Sequence, residues 1–150
     1  MDLTPEHKAY LDKSVLCWLA TVSADGIPNV SPKEIFTHWG SDKVIVANIA
    51  SPQTVRNLRH TPNVCLSFID VLVQKGFQIK GTACIREKKD PSYPEMETKL
   101  LQMTGGAFPF GTITEITVTQ AKPILAPRYV LYPETTEADQ IERAREAYGL

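Results

Sequence analysis

Ser51-Pro52-Gln53-Thr54 is the stretch of this 150-residue chain best suited to chemistry, because it opens a helix and brings no acid with it. Serine can cap a helix and proline fits its first turn. Gln53, Thr54, Val55 and Arg56 nevertheless supply no carboxylate to a helix end that favours negative charge. The other predicted helices do carry acids there: Glu6 in the first, Glu95 in the third, Glu137 and Asp139 in the last. A bound anion would complete such an end. A phosphate suits it, since the backbone N–H groups of Gln53, Thr54 and Val55 and the hydroxyls of Ser51 and Thr54 can all point at one group. Lys33, Arg56 and Lys80 are the candidate cations. Arg59 and His60 close the same helix, where positive charge is ordinary helix chemistry.

Other chemistry has little support in the sequence. Cys17, Cys65 and Cys84 are odd in number, widely spaced and set in apolar strand-like runs, which predicts buried free thiols and no disulfide framework. His7, His38 and His60 form no i, i+4 pair and no cluster with the cysteines, so no metal site is expected. A nucleophile elbow, a Walker loop and a GxGxxG turn are all missing. The sequence names no catalytic side chain.

The elements that must hold the candidate residues follow from periodicity and punctuation. Thr4, Pro5 and Glu6 start a short helix ending near Ser14. Val15 to Ser23 is an apolar strand, ADGIP turns it back, and NVSPKEIF is a second strand. Pro28 and Pro32 cannot donate ladder bonds, which predicts an edge or a bulge for that strand. Lys43 to Ile49 is a third strand, followed by the helix from Ser51 to Pro62. Asn63 to Asp70 is a fourth strand. Gly76 to Ile85 alternates, with Phe77, Ile79, Ala83 and Ile85 on one face and Gln78, Lys80 and Thr82 on the other. A helix through PSYPEMETKLLQMTGG, a sixth strand TITEITVTQAKPI and a C-terminal helix complete the chain. The expected fold is mainly β (α+β): a six-stranded antiparallel split β-barrel with peripheral helices, one domain over residues 1–150. Trp18, Trp39, Phe36, Phe108 and Phe110 are core by default, with the loop GGAFPFG the exception, suited to cover a ligand or partner.

Composition narrows the function classes. The chain is 43% hydrophobic, enough for one sizeable core, and Lys+Arg 16 nearly balances Asp+Glu 17. No global basic field draws it to nucleic acid or anionic lipid. The longest apolar runs fall well short of the roughly 20 residues of a membrane span, so a soluble, cytoplasmic protein is expected.

The order "LATVSADGIPNVSPKEIF", "VIVANIASPQTVRNLRHTPNVCLSF" and "GFQIKGTA" resembles the FMN-binding split-barrel proteins related to pyridoxamine 5'-phosphate oxidase, over roughly Val15 to Thr119. The resemblance implies FMN as cofactor, held at a homodimer interface. It places Ser31, Pro32 and Lys33 beside the ring or ribityl chain, with Asn48 and Ile49 at the end of the next strand. Ser51, Gln53 and Thr54 take the phosphate, with Gln78 and Lys80 reaching from the fifth strand. Relatives carry lysine or arginine at the position of Gln53, which leaves Lys33, Arg56 or Lys80 to supply the charge. The family's vitamin-oxidising members need a basic motif near the C-terminus, and "ILAPRYVLYPETTEADQ" lacks it. The implied function is an FMN-dependent oxidoreductase of unassigned substrate. A non-enzymatic electron carrier is the second reading, a nucleic-acid-binding barrel a distant third, and a deazaflavin or haem the other possible occupant of the groove.

Overall fold

The protein is described over residues 1–150 by a computed structural model. Its elements run α1 (Pro5–Lys13), β1 (Cys17–Val22), β2 (Pro28–Lys33), β3 (Phe36–Trp39), β4 (Lys43–Ala47), α2 (Pro52–His60), β5 (Asn63–Asp70), β6 (Lys75–Glu87), α3 (Tyr93–Thr104), β7 (Thr112–Leu125), α4 (Pro127–Leu131) and α5 (Glu137–Tyr148). All seven strands form one antiparallel sheet in the order β2-β1-β5-β6-β7-β4-β3. The sheet curls around its core into a split barrel. It has one strand more than the six expected. The additional strand is β3, the four residues Phe36-Thr37-His38-Trp39, too short to carry a periodic signal. The short helix α4 also has no counterpart in the sequence reading.

Two apolar clusters explain why some strands read as unbroken apolar runs and others alternate. Leu19, Phe36, Val44, Val46, Leu66, Phe68, Phe77, Ile79, Ile116 and Val118 fill the inside of the curl. Ile45, Ala47 and Ile113 point to the outside and are covered by Tyr93, Met96 and Leu100 of α3. Residues in β4 therefore alternate between two cores, which is why KVIVA carries hardly any polar residue. β6 has one buried face, so Phe77, Ile79 and Ala83 are buried while Lys80 and Thr82 are exposed, as their alternation predicted. Cys17 is buried, but Cys65 is half-buried and Cys84 exposed, because both fall on the outer positions of their strands.

Backbone crowding sets glycine at two places. A Cβ on Gly76 would lie 2.0 Å from the Phe68 carbonyl oxygen, and one on Gly81 would lie 2.3 Å from that of Thr117. Gly81 sits at the register shift between β6 and β7, where the sheet bends.

α1 packs on the core of the curl through Leu11, with Leu3 just ahead of the helix beside it. Thr4 caps it as predicted, accepting from the His7 amide at 3.2 Å. His7 completes the capping box, its Nδ1 accepting from the Thr4 N–H at 3.1 Å, and its ring meets Phe77 edge-on at 4.4 Å.

Candidate functional site

The helix that lacked an acid has a cation beside it. Lys33 ends β2 opposite Cys17, whose side chain lies inside the curl. Lys33 therefore points inward and is only 5% exposed. Its Nζ donates to the Ser51 hydroxyl and, at 3.4 Å, to that of Thr54. No carboxylate pairs with it. Burial holds its ammonium below the ordinary lysine value, and the neighbouring Cys17 thiol offsets this in part.

α2 begins at this point with Ser51 at its N-cap, Pro52 in the first turn and no acid in that turn. The Ser51 side chain makes no capping bond. It donates instead to the Ile49 carbonyl at 3.0 Å and accepts from Lys33. The first bond of the helix runs from the Val55 N–H to the Ser51 carbonyl at 3.2 Å, so the amides of Gln53 and Thr54 precede the hydrogen-bonded ladder. The chain reaches the helix through Ala50, held at φ +48°, a left-handed conformation rare for a residue with a Cβ.

Two adjoining cavities form one groove over these residues. The polar end, about 300 Å³, is lined by Asn29, Ser31, Ser51, Gln53 and Thr54 among others. The apolar end, about 220 Å³, is lined by Pro32, Lys33, Glu34, Ile35, Ala47, Ile49 and Phe108. Pro32 and Ile49 line both. The groove thus offers amides and hydroxyls at one end and mainly apolar walls at the other, with Lys33 in the wall of the apolar end and its Nζ on the Ser51 and Thr54 hydroxyls of the polar end.

Ser31, Pro32, Lys33, Ile49, Ser51, Gln53 and Thr54 are brought together here. Asn48 is adjacent but occupied: its amide donates to Thr112 Oγ1 at 3.2 Å and its oxygen accepts from Thr114 Oγ1 at 2.9 Å, which ties the end of β4 to β7. Gln53 lines the groove while its side chain lies along α2, donating to Asn57 at 2.8 Å and accepting from Arg56 at 2.7 Å. Arg56 is thereby engaged on the exposed helix surface, and Lys33 is the cation that meets the helix start. Gln78 and Lys80 lie elsewhere. They sit on the outer face of β6, separated from β2 by β1 and β5.

Asn29, Glu34 and Phe108 also reach the groove. Phe108 was legible in GGAFPFG, and it is 56% exposed although it forms a cavity wall. Asn29 had a signal that went unread: Asn29, Ser31 and Lys33 recur at period 2 on one face of a strand. Asn57 carried none. It is buried and donates to Thr21 Oγ1 at 3.0 Å, fastening α2 to β1.

Trp18 departs from expectation, being 47% exposed. It is paired with Pro32 and Ser67, and Val30, diagonal to it on β2, is exposed on the same face. β2 is an edge strand, as its prolines predicted.

An antiparallel sheet curled into a half-barrel, with helices packed outside it, defines the split-barrel class of small proteins. The family model described as pyridoxamine 5'-phosphate oxidase matches residues 3–141, and the chain belongs to that family. Solved structures agree on the fold. HupZ from Group A Streptococcus is 27% identical, with a TM-score of 0.68 over 79% of this chain and 91% of that one. An FMN-binding protein from Syntrophomonas wolfei has a TM-score of 0.68 at 15% identity, covering 80% and 84% of the two chains. HutZ, the heme storage protein from Vibrio cholerae, has a TM-score of 0.64 at 20% identity, covering 83% and 95%. No curated protein matches the chain. No helix is long and apolar enough to cross a membrane.

Proposed function

We propose that the protein is an FMN-binding oxidoreductase that works as a homodimer in the cytoplasm. One observation carries the reading: a lysine 5% exposed and without a counter-ion faces a helix start that has no acid, and the two line adjoining cavities of one groove. Two positive features so placed repel one another unless an anion sits between them. A phosphomonoester meets that need, with Lys33, the Ser51 and Thr54 hydroxyls and the Gln53 and Thr54 amides as its partners. The apolar stretch from Pro32 past Ile49 to Phe108 suits the planar remainder of a flavin. FMN would supply hydride or electron transfer through its own ring, so the chain's task is to bind, orient and shield. Ser31 and Asn29 line the polar end of the groove beside Ser51 and Thr54, and Phe108 screens its apolar end from water.

The histidines favour a flavin over haem. His7 is committed to the α1 cap, His38 lies 3.9 Å from Asp12, and His60 closes α2 at the end away from the groove. The exposed outer face of β1 and β2, with Trp18, Val30 and Pro32, supports a second copy as the cover for this open groove. Gln78 and Lys80 share that outer face, and they reach a phosphate site only if it belongs to the second copy.

The visible spectrum of the purified protein tests the reading, together with mass spectrometry of what denaturation releases. Flavin bands and released FMN are expected. A colourless protein that refuses added FMN overturns it. Stopped-flow mixing with nicotinamide cofactors then separates enzyme from carrier: rapid bleaching with turnover is expected, and absent hydride uptake favours the carrier.

A further inference from the structure

Helices α3 and α5 are each 12 residues long, yet they are held to the molecule in different ways. Tyr93, Met96 and Leu100 of α3 are buried in an apolar cluster with Ile45, Ala47 and Ile113. No residue of α4 or α5 belongs to either apolar cluster, and Ala144 is the one buried apolar side chain of the two helices. No backbone hydrogen bond joins residues 127–150 to the sheet. Polar side chains hold them instead. Gln74 accepts from Gln140 Nε2 and donates to the Tyr148 hydroxyl, both at 2.9 Å. Lys75 donates to Glu137 at 2.9 Å, and the Tyr129 hydroxyl donates to the Val73 carbonyl at 2.7 Å. All four bonds end on Val73, Gln74 and Lys75, where the β5–β6 hairpin turns. Those to Tyr148 and Glu137 are exposed, so water competes for them. Arg128 Nε and Gln140 Oε1 are buried in this segment with no partner, which favours a state in which water reaches them.

We propose that α4 and α5 form a clasp that opens and closes as a unit on the β5–β6 turn while the barrel stays folded. Burial of apolar surface couples an element to global unfolding, and α3 has that burial where α5 does not. Gln74 is the catch, because its one side chain bonds α5 at both Gln140 and Tyr148. The turn presenting it is fixed independently of the helices: the Asp70 carboxylate accepts from the Leu72 and Val73 amides at 3.1 and 3.2 Å, and the Asp70 carbonyl accepts from the Gln74 amide at 2.6 Å. Opening therefore belongs to the helices and leaves the hairpin intact. The clasp is independent of what fills the groove.

Amide hydrogen exchange of the full chain, followed by NMR, tests it. Amides from Gln140 to Tyr148 should share one opening rate, at least about 100-fold faster than that of the protected amides of α3, β5 and β6. Gln74→Ala removes both bonds of the catch and should speed exchange in α5 by about fivefold more, while α3, the sheet and the urea midpoint keep their wild-type values. Tyr148→Phe removes one of the two bonds and should give a smaller increase. Protection of α5 equal to that of α3 overturns the proposal. So does a gradient of rates rising toward Leu150, which marks fraying from the chain end, and so does a Gln74→Ala variant that leaves α5 unchanged or speeds the sheet as much as α5.

Discussion

Lys33 costs the protein stability, a cost that the proposed phosphate would offset. A buried ammonium without a counter-ion is unfavourable, and its depressed affinity for the proton is the signature of that cost. Lys33→Met should therefore leave the thermal midpoint unchanged or raise it, while FMN affinity falls by about tenfold or more, measured by fluorescence titration. The folded state binds fewer protons than the unfolded one as pH rises toward 10.5, the ordinary lysine value. The penalty is thus fully present at neutral pH and is relieved as pH rises through the lowered value, the same range in which phosphate affinity should fail. His7 gives the opposite end of the pH scale. Burial lowers its affinity for the proton, and its Nδ1 must be free to accept from the Thr4 N–H. Stability linked to it is present above the ordinary value of 6.5 and lost as pH falls through the folded value. The thermal midpoint should drop between pH 7 and pH 5, and His7→Gln should flatten that slope. The acid-free first turn of α2 and the candidate Lys33 were both legible in the sequence, because each is a matter of residue type and spacing. Their contact was not, since 18 residues separate Lys33 from Ser51.

At the scale of elements, α2 fixes the groove and the β6–β7 bend shapes the sheet. Asn57 fastens α2 to β1, Ala50 enters the helix in a left-handed conformation, and Lys33 ties the helix start to the end of β2. The bend depends on Gly81, whose hydrogen faces the Thr117 carbonyl where no side-chain atom fits. Gly81→Ala must push backbone apart and should cost about 1–3 kcal/mol, read as a lower urea midpoint with an unchanged slope. Strands of five residues or more and every long helix followed from apolar period and from caps such as Thr4 and Thr136. The short strand β3 did not, because four residues give too few repeats to tell a strand from a turn.

The whole molecule leaves one side of its sheet without a partner. α3 covers the outer face of β4 and β7, whereas Trp18 at 47% and Val30 at 57% exposure stay open beside the groove. Solitary exposed apolar residues are normal, but two on one edge face next to an open cavity point to a covering surface. Trp18→Glu should give monomers by sedimentation and lose FMN uptake together with dimerisation, while the far-ultraviolet circular dichroism stays that of the wild type. A variant that remains dimeric, or a monomer that binds FMN as well as before, contradicts the proposed arrangement.

The sequence by itself determined the family resemblance, the antiparallel barrel, the third strand that became β4 and the absence of an acid at the start of α2. All of these are local: they depend on residue type at a fixed period or at a helix end. Tertiary structure decided that Lys33, rather than Arg56 or Lys80, meets the helix start, that Asn48 brackets β4 to β7, and that Trp18 faces outward. Those outcomes depend on which strands become neighbours and which way the edge strand faces. Strand pairing is set by burial summed over the whole sheet, a quantity that no window of sequence contains.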